Sequence, residues 1–226
     1  MVLMTIHSLM KMATRITLPD VIYFTEIKNM TKEKFLENVN DWENHRHLLW
    51  LALEQTKTGE VVEMGCGDGS TPQLHEYCKD TKRMLWSYDT EPDWIFRFIH
   101  MEHKGHKFGR IINNWHTVKE QHPNPSVILV DHAPGGQRIT DIKAYADFNG
   151  IMVIHDTQPP PTAADYGYER IWKYWKYIVD LQVDINHESP TKDNRTWASA
   201  VSNTFDVRQW AGMETGRNDY RICARS

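Results

Sequence analysis

Short apolar runs alternate with amphipathic stretches along most of this chain. Glu60–Met64, Met84–Tyr88, Phe108–Ile112, Ser126–Val130 and Gly150–Ile154 read as strands, the last two almost without a polar position. Between them, Asp93–Lys104, Trp115–Gln121 and Gln137–Phe148 carry apolar residues at helical spacing. Before the first strand, Thr31, Lys34 and Phe35 open one helical pattern. Trp42, Leu48, Leu49, Leu51, Ala52 and Leu53 form an apolar face that ends near Thr58-Gly59. Strands alternating with helices predict a parallel, doubly wound α/β sheet with right-handed crossovers. Continuous apolar strands fit a sheet covered on both faces.

The rhythm changes after residue 160. Ala163–Tyr177 is dense in aromatics and reads as a helix. Ile178–Asn186 and Trp197–Asn203 then read as two strands joined by the polar loop His187–Arg195, with no room for a crossover helix, so they form an antiparallel edge pair. At the other end, Ile16–Ile27 mixes β-branched and aromatic residues and reads as a short strand or an ordered arm. The whole chain, 1–226, reads as one domain: an arm and helices over 1–58, a Rossmann-like core over 59–203 and a tail over 204–226.

Composition narrows the class. The 226 residues, 40% hydrophobic and 25% charged, suffice for one domain with a sizeable core. A net charge of −4 argues against a nucleic-acid partner. Cys66, Cys78 and Cys223 have neither disulfide-framework nor C-x-x-C spacing, which suits a reducing cytoplasmic setting. No apolar run approaches about 18 residues, so no membrane span is expected. His45, Arg46 and His47 fall mid-helix and read as a solvated face, with a substrate-facing lid as the lesser alternative.

The most informative stretch is Glu63-Met64-Gly65-Cys66-Gly67-Asp68-Gly69-Ser70-Thr71-Pro72. A strand ends, three glycines follow at alternate positions, and a helix begins. Ser70 or Thr71 can cap that helix, and Pro72 fits its first turn. Glycines let the backbone turn sharply and approach a ligand closely. Strand, glycine turn and helix N-terminus together make a nucleotide-type cofactor site. In doubly wound sheets, ligands bind at the carboxyl ends of the strands. There this chain places Ser87-Tyr88-Asp89-Thr90-Glu91, Asn113-Asn114-Trp115-His116, Asp131-His132 and His155-Asp156-Thr157. Asp89 lies near the separation expected for a ribose-binding acid. Asn114 and Trp115 are candidates to read and cover an adenine, or else a helix cap and a core tryptophan.

These residues resemble the class I S-adenosylmethionine (SAM) dependent methyltransferases. Glu63–Gly69 looks like motif I, Asp89 like the motif II ribose acid, and Val127–Asp131 and Ile151–Asp156 like the later strand motifs. The match spans roughly residues 45–203. The antiparallel terminal pair is a feature of that seven-stranded fold and not of a plain dinucleotide domain. The resemblance implies SAM contact from Glu63, Gly65, Cys66, Gly67, Gly69, Ser70, Asp89, Thr90, Asn114, Trp115, Asp131 and His132. Within the superfamily, Asp131-His132 and His155-Asp156 resemble metal-dependent small-molecule O-methyltransferases and the cephalosporin-hydroxylase-like group. That implies Asp131 and Asp156 as ligands of a divalent metal, Mg²⁺ being the fitting hard cation. Two positions depart from the catechol type: Pro134 stands where its lysine base would be, and Thr157 where it has asparagine.

The expected activity is methyl transfer from SAM to a small-molecule acceptor, most readily a hydroxyl oxygen. A hydroxyl needs a proton acceptor, and His132 is favoured over His155 because Asp131 adjoins it. Two alternatives stay open: an NAD-dependent oxidoreductase using the same glycine loop, and a catalytically inactive SAM-binding-fold partner protein. The N-terminal arm and the edge hairpin are two candidate surfaces for a homodimer.

Overall fold

The computed structural model describes residues 30–112, 114–158, 166–183 and 197–225. The expected arm at 16–27, Asn113, the start of the aromatic helix and the loop 187–195 lie outside the described residues.

Fourteen helices and strands, apart from short 3₁₀ turns, are described. They run α1 (Lys32–Phe35), α2 (Arg46–Thr56), β1 (Val61–Met64), α3 (Thr71–Thr81), β2 (Leu85–Asp89), α4 (Pro92–Phe98) and β3 (His106–Arg110). Then follow α5 (His116–Gln121), β4 (Val127–Val130), α6 (Arg138–Ala144), β5 (Ile151–His155), β6 (Tyr177–Val183), β7 (Ala198–Ser202) and β8 (Tyr220–Ala224). The strands form one sheet in the order β3-β2-β1-β4-β5-β7-β6-β8. β1 to β5 are mutually parallel, with Val61 opposite both Leu85 and Val127. The last three strands pair antiparallel. No helix among the described residues is long and apolar enough to cross a membrane.

The period-2 alternation of the strands divides the core. Val61, Val127, Leu129, Ile151 and Val153 face α1, α2 and α3, meeting Phe35, Leu48, Leu53, Leu74 and Tyr77. Val62, Ile128, Val130, Met152 and Ile154 face the other way, meeting Val118, Ile142, Tyr145 and Phe148. Both sets are removed from water, each large aliphatic side chain contributing roughly 1.5–3 kcal/mol.

Three readings need correction. Residues 204–226 do not trail off the core: β8 adds an eighth strand beside β6, and Val207, Trp210, Tyr220 and Ile222 join the buried cluster. The described part of the aromatic segment is not one helix but two 3₁₀ turns, Tyr168–Arg170 and Trp172–Tyr174, and Tyr177 already belongs to β6. Gly167 enters them with a left-handed φ of 72°, and Tyr168, Ile171 and Trp175 are pinned in the core. His45, Arg46 and His47 are not a solvated face. All three are buried, because the first turn of α2 lies against the molecule. The Arg46 guanidinium donates to the carbonyls of Phe35 and Glu37 and pairs with Glu43 at 3.2 Å.

Candidate functional site

The glycine loop is fastened from three sides. Glu63 points to the α3 side of β1, fully buried, and accepts from the hydroxyls of Ser70 at 2.6 Å and Thr71 at 3.0 Å. Ser70 therefore sits at the N-cap position of α3 with its hydroxyl committed to Glu63, and Pro72 occupies the first turn. The Thr71 hydroxyl also accepts the Gly67 N–H at 2.9 Å. Gly65 has φ 104°, and a Cβ there would stand 2.6 Å from the backbone carbon and oxygen of Asp131. Only glycine lets β1 and β4 end so close together. At Gly69 a Cβ would meet Glu43 at 2.6 Å, whereas at Gly67 it would meet only Ser70 Oγ at 3.9 Å. The loop is thus packed at both ends and open in the middle, as a backbone that approaches a ligand must be.

Asp89 ends β2 across from the loop. Its Oδ2 accepts the Cys66 N–H and its Oδ1 the Glu91 N–H, both at 2.8 Å. Each carboxylate oxygen keeps a further lone pair for a hydroxyl donor. Burial, opposed by these backbone bonds, raises the Asp89 carboxyl above its ordinary value. Cys66 is buried, and burial together with the nearby Glu63 and Asp89 pushes its thiol up, so it is a packing residue and not a nucleophile. Thr90 follows Asp89 and is half-buried.

The ends of β4 and β5 carry a second, denser cluster. His155 Nδ1 donates to Asp131 Oδ1 at 3.0 Å. Arg138, from the first turn of α6, donates through Nη2 to the same Oδ1 at 3.0 Å and through Nη1 to Asp156 Oδ2 at 3.1 Å. Its Nε reaches the His132 carbonyl at 2.7 Å. Burial works against both charges of the Arg138–Asp131 pair. Even so, Asp131 raises the guanidinium, and His155 with Arg138 hold the Asp131 carboxyl well below the usual range. Burial likewise opposes protonation of His155, yet Asp131 raises it above the ordinary imidazole value. Asp156 takes a left-handed φ of 59°, uncommon for a residue with a side chain.

The resemblance implies Asp131 and Asp156 as metal ligands, but the Arg138 guanidinium already bridges the two carboxylates. A bridging Mg²⁺ would have to displace a buried cation, so this pair does not fit that ion.

His132 and Trp115 are elsewhere. Their rings stack at 4.1 Å with 25° between planes, and Trp115 Nε1 donates to the Ala133 carbonyl at 3.2 Å. His132 Nε2 lies 3.1 Å from Asp141 Oδ2, and both side chains are buried. No ring nitrogen of His132 faces the His155 cluster. Asn114 lies just before α5, its side-chain oxygen accepting from the His116 N–H at 2.9 Å. Trp115 is buried in the second core face.

Two residues of the cluster were not among the candidate site residues read from sequence. Arg138 is one. Its only signal was a cation soon after Asp131-His132, in the turn that must fold back over the strand ends. His45 is the other. Its ring lies edge-on to His155, with centroids 4.6 Å apart. Neither of its nitrogens has a hydrogen-bond partner among the described residues. Burial first, and then His155, lower its imidazolium to about 3, so it is neutral. In sequence its only signal was its place beside Arg46 and His47 on a helical stretch, where a substrate-facing lid was the lesser reading.

No protein-family model and no curated protein matches this chain. Among solved structures it is similar to the N-methyltransferase NodS from Bradyrhizobium japonicum WM9 in complex with S-adenosyl-L-homocysteine. The identity is 15% over 79% of this chain and 94% of that one, with a TM-score of 0.52. It is also similar to a probable spermidine synthase from Corynebacterium glutamicum ATCC 13032, with 9% identity over 82% of this chain and 75% of that one and a TM-score of 0.55. At such identities the likeness is one of fold. The mostly parallel sheet with antiparallel C-terminal strands is the Rossmann-like fold of a methyltransferase.

Proposed function

We propose that this protein is a SAM-dependent methyltransferase acting on a small-molecule acceptor through a hydroxyl oxygen. The observation that carries this reading is the pairing of two sites on one sheet edge. One is a glycine loop open at Gly67 and faced by Asp89. The other is the Asp131–His155 pair at the neighbouring strand ends. In this reading Glu63 and Ser70 hold the loop, Asp89 accepts the ribose hydroxyls, and the sulfonium lies toward β4.

SAM supplies the electrophilic methyl group. The protein's share is position, exclusion of water and removal of a proton. Aligning the acceptor oxygen with methyl and sulfur can contribute roughly 7–11 kcal/mol by proximity. His155 is placed to take the hydroxyl proton. Its Nδ1–H is held by Asp131, which leaves Nε2 as the acceptor, and Nε2 has no other partner among the described residues. A positioned base of this kind is worth about 10²–10⁴-fold.

Calorimetry with S-adenosylhomocysteine and NAD⁺ tests the cofactor half, and binding of S-adenosylhomocysteine alone is expected. Transfer of labelled methyl from SAM across a panel of hydroxylated and aminated small molecules tests the acceptor half. NAD⁺ binding without S-adenosylhomocysteine binding would overturn the reading. Tight S-adenosylhomocysteine binding with no transfer to any acceptor would point instead to a non-catalytic SAM-binding protein.

A further inference from the structure

The His45–Asp131–His155 cluster asks for an occupant that the methyltransferase reading does not supply. Each residue offers one ligand atom, and the three atoms lie within 4.8 Å of one another. His45 and His155 are 2% and 5% exposed, and among the described residues His45 Nδ1, His45 Nε2 and His155 Nε2 all lack a hydrogen-bond partner. A buried imidazole with both nitrogens unpaired is a rare arrangement, since buried polar groups are almost always bonded. Among the described residues, Asp131 accepts from His155 and Arg138, both through Oδ1.

We infer that His45, Asp131 and His155 bind a divalent first-row transition metal, with at least one coordination position left open. Two imidazoles and one carboxylate suit Zn²⁺ or its neighbours rather than Mg²⁺, which prefers an all-oxygen shell. Tetrahedral ligands about 2.1 Å from an ion stand roughly 3.4 Å apart, so a small inward shift of α2 relative to β5 closes the site. This site differs from the Asp131–Asp156 pair in residues and metal class, and it leaves the Arg138 bridge to Asp156 in place. Metal binding itself stands on this geometry alone. Its place in the reaction rests on the reading above: the open position lies beside the acceptor, and a coordinated hydroxyl loses its proton more readily. With the ion bound, His155 would serve as a ligand in place of its role as base, and the acidified hydroxyl would release its proton to bulk water.

The full-length protein, stripped with a chelator, is titrated with Co²⁺ and followed by visible d–d absorption, and with Zn²⁺ by competition. One Co²⁺ per chain is expected, with bands of low-symmetry coordination. His45→Ala and His155→Ala should each weaken binding by about 10–100-fold, and Asp156→Asn should weaken it less than threefold. His45→Gln, checked by thermal melting, serves if His45→Ala does not fold. Absence of a saturable Co²⁺ site in the folded wild type overturns the inference. So does loss of the site in Asp156→Asn with retention in His45→Ala, which would put the ion on the carboxylate pair. S-adenosylhomocysteine affinity, measured on the same stripped samples, separates a failed metal site from a failed cofactor reading.

Discussion

Arg138 donates to Asp131 Oδ1 at 3.0 Å while the same guanidinium reaches Asp156 at 3.1 Å, so one cation joins the ends of β4 and β5. Its side chain is only 7% exposed. Removing one partner of a buried ion pair is more damaging than the pair is favourable, because the other charge is left uncompensated. Arg138→Met should lower stability by roughly 3 kcal/mol. Arg138→Lys should recover only part of it, since an ammonium cannot fork between two carboxylates. Urea unfolding of the three proteins decides it. Equal midpoints for wild type and Arg138→Met would show that the bridge contributes nothing.

Gly65 gives a second prediction, from backbone geometry alone. Its φ of 104° disfavours any side chain, and a Cβ would collide with the Asp131 main chain at 2.6 Å. The obstacle is backbone, so no rotamer change relieves it. Gly65→Ala should destabilise by about 1–3 kcal/mol and separate the loop from β4. In the proposed reading it should also weaken S-adenosylhomocysteine at least tenfold. An unchanged affinity in calorimetry would detach the loop from cofactor binding.

These two sites differ in how far they could be read from residues. Val127–Val130 and Ile151–His155 announce themselves, because strands buried on both faces can be apolar throughout. The glycine loop is equally local, its chemistry spelled by neighbours in the chain. The burial of His45 and Arg46 is different. Arg46 is satisfied by carbonyls of Phe35 and Glu37, and His45 lies on His155, so neither partner is visible in a helical period. β8 was hidden for another reason. Only Tyr220 and Ile222 face the core, between exposed Arg221 and half-buried Cys223, too brief an alternation to stand out from a polar tail.

Glu63 ties stability to pH. Burial lifts its carboxyl to about 7, against the bonds from Ser70, Ser87 and Thr71 that favour the anion. In the unfolded chain it titrates near the ordinary glutamate value of 4.5. The folded state therefore holds the proton more tightly, and this contribution is complete below the unfolded value and fades as pH rises to about 7. Glu63→Gln is neutral at every pH. Its unfolding free energy relative to wild type, from urea melts, should climb between about pH 5 and pH 8 by an amount on the order of 2–3 kcal/mol and level off above. A difference that stays flat over that range would mean that Glu63 is ionised throughout.

The last prediction separates two histidines that sequence alone could not rank correctly for proton transfer. His132 stacks on Trp115 at 4.1 Å and turns Nε2 toward Asp141, 3.1 Å away, inside the second core face. His155 presents an unpartnered Nε2 beside His45 and is oriented by Asp131. His132→Asn should therefore lose stability, by about 1–3 kcal/mol through the broken stack and the stranded carboxylate of Asp141, and still transfer methyl groups with the wild-type pH profile. His155→Asn should lose about 10²–10⁴-fold in turnover and with it the acidic limb of that profile. S-adenosylhomocysteine affinity should change little in either variant, because neither ring touches the glycine loop or Asp89. Turnover against pH for both variants, with the acceptor that the panel identifies, reads out the assignment. An acidic limb that disappears in His132→Asn and survives in His155→Asn would return the role to His132 and require the Trp115 stack to open during the reaction.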